Sequence, residues 1–126
     1  MKIAIPVKTN KENPAVAPLF GKAKWFAFVE NGEIRIEKNP ADNGSGVVEW
    51  LIKSGVKELI IQNMSNPPYQ MLKRDEEITI FHAGDKRIEL DELLKKYDFD
   101  KLTIIDDTNA DNIIKNHQRE HKNRRF

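Results

Sequence analysis

The sequence predicts a mixed α/β fold, a partly parallel sheet with helices packed on it, in a chain of 126 residues that holds one hydrophobic core's worth of polypeptide. Three observations carry that prediction. A short β-branched run opens the chain, an Asn-Gly pair joins two strand-like segments, and from residue 46 onward apolar strands alternate with segments of helical spacing.

Residues 2–7 (KIAIPV) read as the first strand, with Pro6 near its end, where the loss of one backbone donor is tolerated. A long loop with Pro14, Pro18 and Gly21 follows, and loops of this length inside compact domains usually carry function. Lys24–Glu30 is an aromatic strand, Asn31-Gly32 a two-residue turn, and Glu33–Lys38 alternates apolar with charged residues. This is a hairpin, because both turn residues must take positive φ and Asn and Gly do so most readily.

The segment PADNGSG (40–46) breaks the chain. Val47, Val48, Leu51, Ile52 and Val56 then recur at helical spacing, with Asn43 or Ser45 as the cap and Gly55 as the stop. Glu58–Gln62 is a near-continuous apolar strand of the kind buried on both faces of a parallel sheet. Asn63–Pro68 is a polar loop in which Pro67 or Pro68 opens a short helix through Leu72. Ile78–Phe81 is another strand, ending at His82-Ala83-Gly84, and Leu90, Leu93, Leu94 and Tyr97 mark a further amphipathic helix. Leu102–Ile105 reads either as an extra edge strand or as an extended crossing segment. Asn109–Phe126 reads as a marginal helix fraying into a mobile basic tail. The expected organisation is one domain over residues 1–100 and a C-terminal extension over 101–126.

Composition narrows the function. Lys plus Arg (21) nearly balance Asp plus Glu (20), so no global field points to a nucleic acid or an anionic membrane as partner. Cysteine is absent, which excludes disulfides, thiolate zinc sites, thiol nucleophiles and cysteine-ligated clusters. The opening Met1–Pro6 is too short and too quickly polar for a leader, and no apolar run approaches the ~20 residues that span a bilayer. A cytoplasmic protein with no membrane partner is expected.

Met1–Val7 followed by Val16-Ala17-Pro18-Leu19-Phe20-Gly21-Lys22-Ala23-Lys24-Trp25-Phe26 resembles the opening of the dinitrogenase iron–molybdenum cofactor biosynthesis family, which includes carriers of the NifX, NifY and NafY type. The resemblance runs through roughly residue 100. It implies a three-layer α/β/α ribonuclease-H-like fold, with a five-stranded mixed sheet whose second strand is antiparallel. It also implies a nitrogenase accessory factor: a non-catalytic protein that binds an iron–molybdenum or iron–sulfur cofactor, or its precursor, and meets a protein partner in cofactor assembly. The chain departs from the family at Leu19, where many members carry His, and at Asn63–Pro67, where they carry a glycine-rich turn.

In an open α/β sheet, ligands gather outside the carboxyl ends of the parallel strands. Three segments are expected there: the loop with Lys8, Lys11, Phe20, Gly21 and Lys22, the loop with Asn63, Ser65 and Asn66, and the strand end at His82. The helix start at Asn43, Gly44 and Gly46 lies near the same rim, where glycine lets free amides approach an anion. These residues form the candidate site for a metal–sulfur or other anionic cofactor, with no metal ligated directly by the protein. The alternative is a non-metal interaction module of the same fold that binds RNA or a protein partner.

Other patterns carry less. His117-Gln118-Arg119-Glu120-His121 matches an H-x-x-E-H metallopeptidase motif but sits in a polar tail without a third ligand or a cleft. Asp106-Asp107 could suggest magnesium, but nucleases of this architecture need a carboxylate on the first strand, and residues 2–7 offer none. Turn or cap duty suits the two aspartates better. No catalytic triad, Walker loop or dinucleotide fingerprint occurs, so an enzyme is not expected.

Overall fold

The computed structural model describes residues 1–75 and 77–115. The His117–His121 motif and the basic tail lie outside the described residues. The main sheet is built from β1 (Lys2–Val7), β2 (Trp25–Glu30), β3 (Glu33–Lys38), β4 (Val56–Ile61), β6 (Thr79–His82) and β7 (Thr103–Ile104). A separate two-stranded sheet pairs β5 (Met64–Ser65) in parallel with β8 (Ile114–Lys115). The helices are α1 (Gly44–Lys53), α2 (Asn66–Asp75), α3 (Leu90–Asp98) and α4 (Ala110–Ile113).

In the main sheet the order is β3-β2-β1-β4-β6-β7. β1 runs antiparallel to β2 and parallel to β4, and β4 runs parallel to β6. The Asn31-Gly32 turn forms as expected, with Asn31 at φ 54° and Gly32 at φ 80°, and Glu30 faces Glu33 across it. The sheet has six strands rather than five. The sixth is Thr103–Ile104, which pairs antiparallel with Phe81–His82 and closes an edge that β6 would otherwise leave open. Two smaller boundaries also shift. Val56, in phase with the α1 spacing, opens β4 instead, because Gly55 at φ 80° turns the chain first. His82 lies inside β6 rather than after it.

Alternation along the strands divides the core in two. Ala4, Phe26, Phe28, Leu59, Ile61 and Ile80 face α1 and α2 through Val47, Val48, Leu51, Tyr69 and Leu72. Ile3, Ile5, Val7, Ala27 and Ile60 face α3 through Leu90 and Leu93. Helices therefore cover both faces of the sheet. Ile105, Ala110 and Ile114 join the first of these cores, so residues 105–114 are packed against the rest of the domain.

The chain has only two tyrosines, and each ties a helix to another element. The Tyr97 hydroxyl hydrogen-bonds the Glu58 carboxylate on β4, and the Tyr69 hydroxyl donates to Asp107 Oδ1 at 3.1 Å. Burial, then the carboxylate partner, pushes Tyr97 from 10.0 up to about 12. The same causes raise Tyr69 further. A raised folded-state pKa contributes stability that is present below pH 10 and is lost as pH climbs from 10 towards 12. Near-ultraviolet titration of the folded protein should therefore show almost no phenolate at pH 10. A half-ionised signal there would contradict both contacts.

Candidate functional site

The first loop crosses the carboxyl ends of the parallel strands and ties itself to the other two loops there. It folds back along β1, with Ala17 N–H donating to the Pro6 carbonyl at 2.8 Å and Lys8 N–H to the Ala15 carbonyl at 2.9 Å. Toward α3, Val16 N–H donates to the Ile88 carbonyl and Leu90 N–H to the Pro14 carbonyl, both at 2.9 Å. Toward β4, Phe20 N–H donates to the Asn63 carbonyl at 3.0 Å. Asn63 Oδ1 in turn accepts from Met64 N–H at 2.7 Å. Distant loops thus meet at one rim through backbone bonds.

Phe20–Lys22 form a single 3-10 turn. Phe20 is fully buried and meets Phe26 edge to face at 5.7 Å, which seats the turn on the sheet. Gly21 lies against the start of α1 so closely that a Cβ there would sit 3.1 Å from Gly44 N. Gly44 in turn abuts α2, where a Cβ would sit 2.8 Å from Pro68 Cγ. The two glycines are the points at which the turn and both helix starts touch.

Asn43 caps α1, its Oδ1 accepting from Gly46 N–H at 2.8 Å. The Gly46 amide is therefore spent on the cap and unavailable to a guest, which corrects its place among the candidate residues. Gly46 packs instead on Ala41, whose Cβ would lie 3.0 Å from an added Cβ. The amides of Gly44 and Ser45 precede the intrahelical ladder and donate to no protein group among the described residues.

Around this junction lie three adjoining clefts. One of about 230 Å³ is walled by Leu19–Lys22, Asp42–Gly44, Met64 and Ser65. A second of about 620 Å³ runs along Gly21–Trp25, Lys38, Asn39, Ala41 and Asp42. A third of about 250 Å³ lies between Lys8, Ala17–Leu19 and Lys22–Lys24. Lys22 borders all three. Lys8, Lys22, Lys24 and Lys38 together face a single acid, Asp42.

The structure thus brings Phe20, Gly21, Lys22, Asn43, Gly44 and Ser65 into one cleft, with Asn63 holding its floor and Lys8 in the next cleft along. Asn66 is buried at the start of α2 and accepts from Gln70 Nε2 at 3.1 Å, a helix-internal role. His82 borders none of the three clefts. Its Nε2 sits 3.1 Å from the Gln62 carbonyl and 3.6 Å from Asp85, so its strand holds the imidazole in local bonding. Lys11 lines a different groove, beside Asn13 and Ile34.

Lys24, Lys38 and Asn39 were not anticipated, although the hairpin register encodes them. Once Glu30 faces Glu33, Trp25 must face Lys38. Asn39 N–H then reaches the Lys24 carbonyl at 2.8 Å, and Asn39 Nδ2 the Ala23 carbonyl at 2.9 Å. Asp106 accepts from the Thr108 hydroxyl and, in an Asx turn, from Thr108 N–H at 2.9 Å, and those bonds lower its pKa. Asp107 pairs with Lys73 at 2.8 Å. Both aspartates do structural work. Among the described residues, no three of His, Asp and Glu gather closely enough to hold a metal ion.

Fold and cleft together define a small mixed α/β domain whose candidate site is made of backbone amides and lysines rather than a ligating or nucleophilic set. The chain belongs to the dinitrogenase iron-molybdenum cofactor family, whose profile matches residues 1–98. Among curated protein sequences, none is similar enough to count as a relative. Solved structures share the fold. A Thermotoga protein described as a NifB protein of the DUF35 family superposes with a TM-score of 0.70 at 20% identity, over 82% of this chain and 91% of its own. The apo form of the orange protein from Desulfovibrio gigas gives 0.71 at 17% identity, over 82% and 92%. No helix among the described residues is long and apolar enough to cross a membrane.

Proposed function

We propose that this chain is a non-catalytic cytoplasmic carrier or accessory protein that holds an anionic metal–sulfur cofactor, or its precursor, in the clefts around Lys22. The observation that carries this reading is the convergence of the free Gly44 amide with lysines on one rim. Amides at a helix start and ammonium groups recognise negative charge. Family membership supplies the kind of guest. The strand order β3-β2-β1-β4-β6, with β2 antiparallel, supports a ribonuclease-H-like assignment for residues 1–100, with 101–126 as an extension.

With no cysteine, and with Leu19 at the cleft, the donor set suits a preformed anion held by hydrogen bonds and charge, not a cluster ligated by the protein. Lys22 and the Gly44 amide would meet the guest, Asn43 would orient the helix start, and Phe20 would hold the turn in place. The cargo would be carried unchanged, without any turnover step, until a partner in cofactor assembly removes it.

Anaerobic equilibrium dialysis against tetrathiomolybdate, read by absorbance and metal analysis, tests the reading. About one molybdenum per chain should be retained, with affinity falling about tenfold in Lys22→Glu and declining as salt rises. No retention, or retention indifferent to Lys22→Glu, would overturn it.

A further inference from the structure

Among the described residues, β3 is the one long strand at an edge of the main sheet, since β7 at the other edge has only two residues. Glu30 and Glu33 close a two-residue turn and so form a hydrogen-bonded pair, and bonded pairs recur at every second residue. Glu33, Arg35 and Glu37 therefore spend their backbone groups on β2. Those of Ile34, Ile36 and Lys38 point outward, an open template for another strand. On the α3 side, Ile34 is 51% exposed and joins Ile36, Pro14 and Leu90 along a groove of about 630 Å³.

We propose that β3 pairs antiparallel with β3 of a second copy of this chain, with Ile36 facing Ile36 on the two-fold axis. Side-chain alternation requires that a two-fold axis perpendicular to the sheet pass through a residue facing itself. Centring on Arg35 sets Arg35 on Arg35 and Glu33 on Glu37, all like charges. Centring on Glu37 sets that carboxylate on its own copy. Centring on Ile34 runs the pairing into Gly32 at φ 80°, which is not extended backbone. Only the Ile36 centre places Arg35 opposite Glu37 twice, Ile34 opposite Lys38 twice, and the outward-facing backbone groups against each other.

Arg35 and Glu37 already pair within one strand, so the two copies would form a square of alternating charge. The Ile34 and Ile36 side chains would meet on the opposite face, where the groove leaves them uncovered. The pairing joins two sheets edge to edge on the far side of β2 from β1; it leaves the small cleft at Gly21 and Gly44 clear and reaches the second cleft only at Lys38.

Sedimentation velocity on the full chain, from about 10 μM to about 1 mM, tests this, because an interface of this small size associates weakly. A concentration-dependent dimer is expected. Arg35→Glu and Glu37→Arg should each raise its dissociation constant at least tenfold, and the double variant Arg35→Glu/Glu37→Arg should return it to within about threefold of the parent. Circular dichroism identifies any variant that fails to fold, and the double variant retains the charge balance of the strand. A monomer at every concentration, a dimer indifferent to the single reversals, or a double variant no better than the singles would overturn the proposal.

Discussion

Phe20→Ala is expected to destabilise the domain by about 3–5 kcal/mol, the usual cost of deleting a buried aromatic ring. Phe20 is fully buried, meets Phe26 edge to face, and Phe26 meets Trp50 of α1 at 5.6 Å in the same way. The cavity would therefore open at one end of a row of rings joining the 3-10 turn, the sheet and α1. Domains of this size have only about 5–15 kcal/mol in hand, so the midpoint of urea denaturation should fall by a large fraction of its value. Tetrathiomolybdate binding should be lost as well, under conditions where circular dichroism still shows a folded chain, because the buried ring anchors the turn that sets Gly21 and Lys22 against Gly44. Unchanged binding in the folded variant would detach Phe20 from the site.

Leu93→Ala is the matching experiment on the other face of the sheet. Leu93 is fully buried in the core formed with Ile5, Ile60 and Leu90, and its truncation should cost about 2–5 kcal/mol. It contributes to none of the three clefts. Its urea midpoint should fall to a similar degree while tetrathiomolybdate affinity below the transition stays within about twofold of the parent. Paired with the Phe20 result, this separates loss of stability from loss of the site. Equal loss of binding in both variants would mean that the site depends on global stability alone.

The sequence revealed the parts of the fold that rest on local chemistry. Asn31-Gly32 fixes a hairpin and its register because the turn geometry admits few other residues, and Gly55 separates α1 from β4 for the same reason. The strands β1, β4 and β6 were legible as apolar runs. The two-residue strands β5 and β8 were not, since two residues carry no periodicity and their pairing is set by how α2 and α4 pack. The sixth strand could be read from Leu102–Ile105 only as one of two options, because an edge strand half exposed to solvent lacks a strong hydrophobic signature.

For the site, topology predicts the first loop and Asn63 at one rim, and the bond from Phe20 N–H to the Asn63 carbonyl joins them. Sequence reasoning went astray where a polar group could choose a nearer partner. His82 takes the Gln62 carbonyl, and Gly46 donates to its own cap. Such choices are settled by tenths of an ångström in three dimensions, which spacing along the chain does not record.

The β5–β8 pair sets Lys115 beside Ser65, one wall of the small cleft, and Ile114 packs into the core that also holds Phe20 and Met64. Residues beyond the span that the family profile matches thus act as a keystone for one wall of this cleft. A change confined to residues 114 and 115 would therefore shift that wall while the first 98 residues stayed as they are.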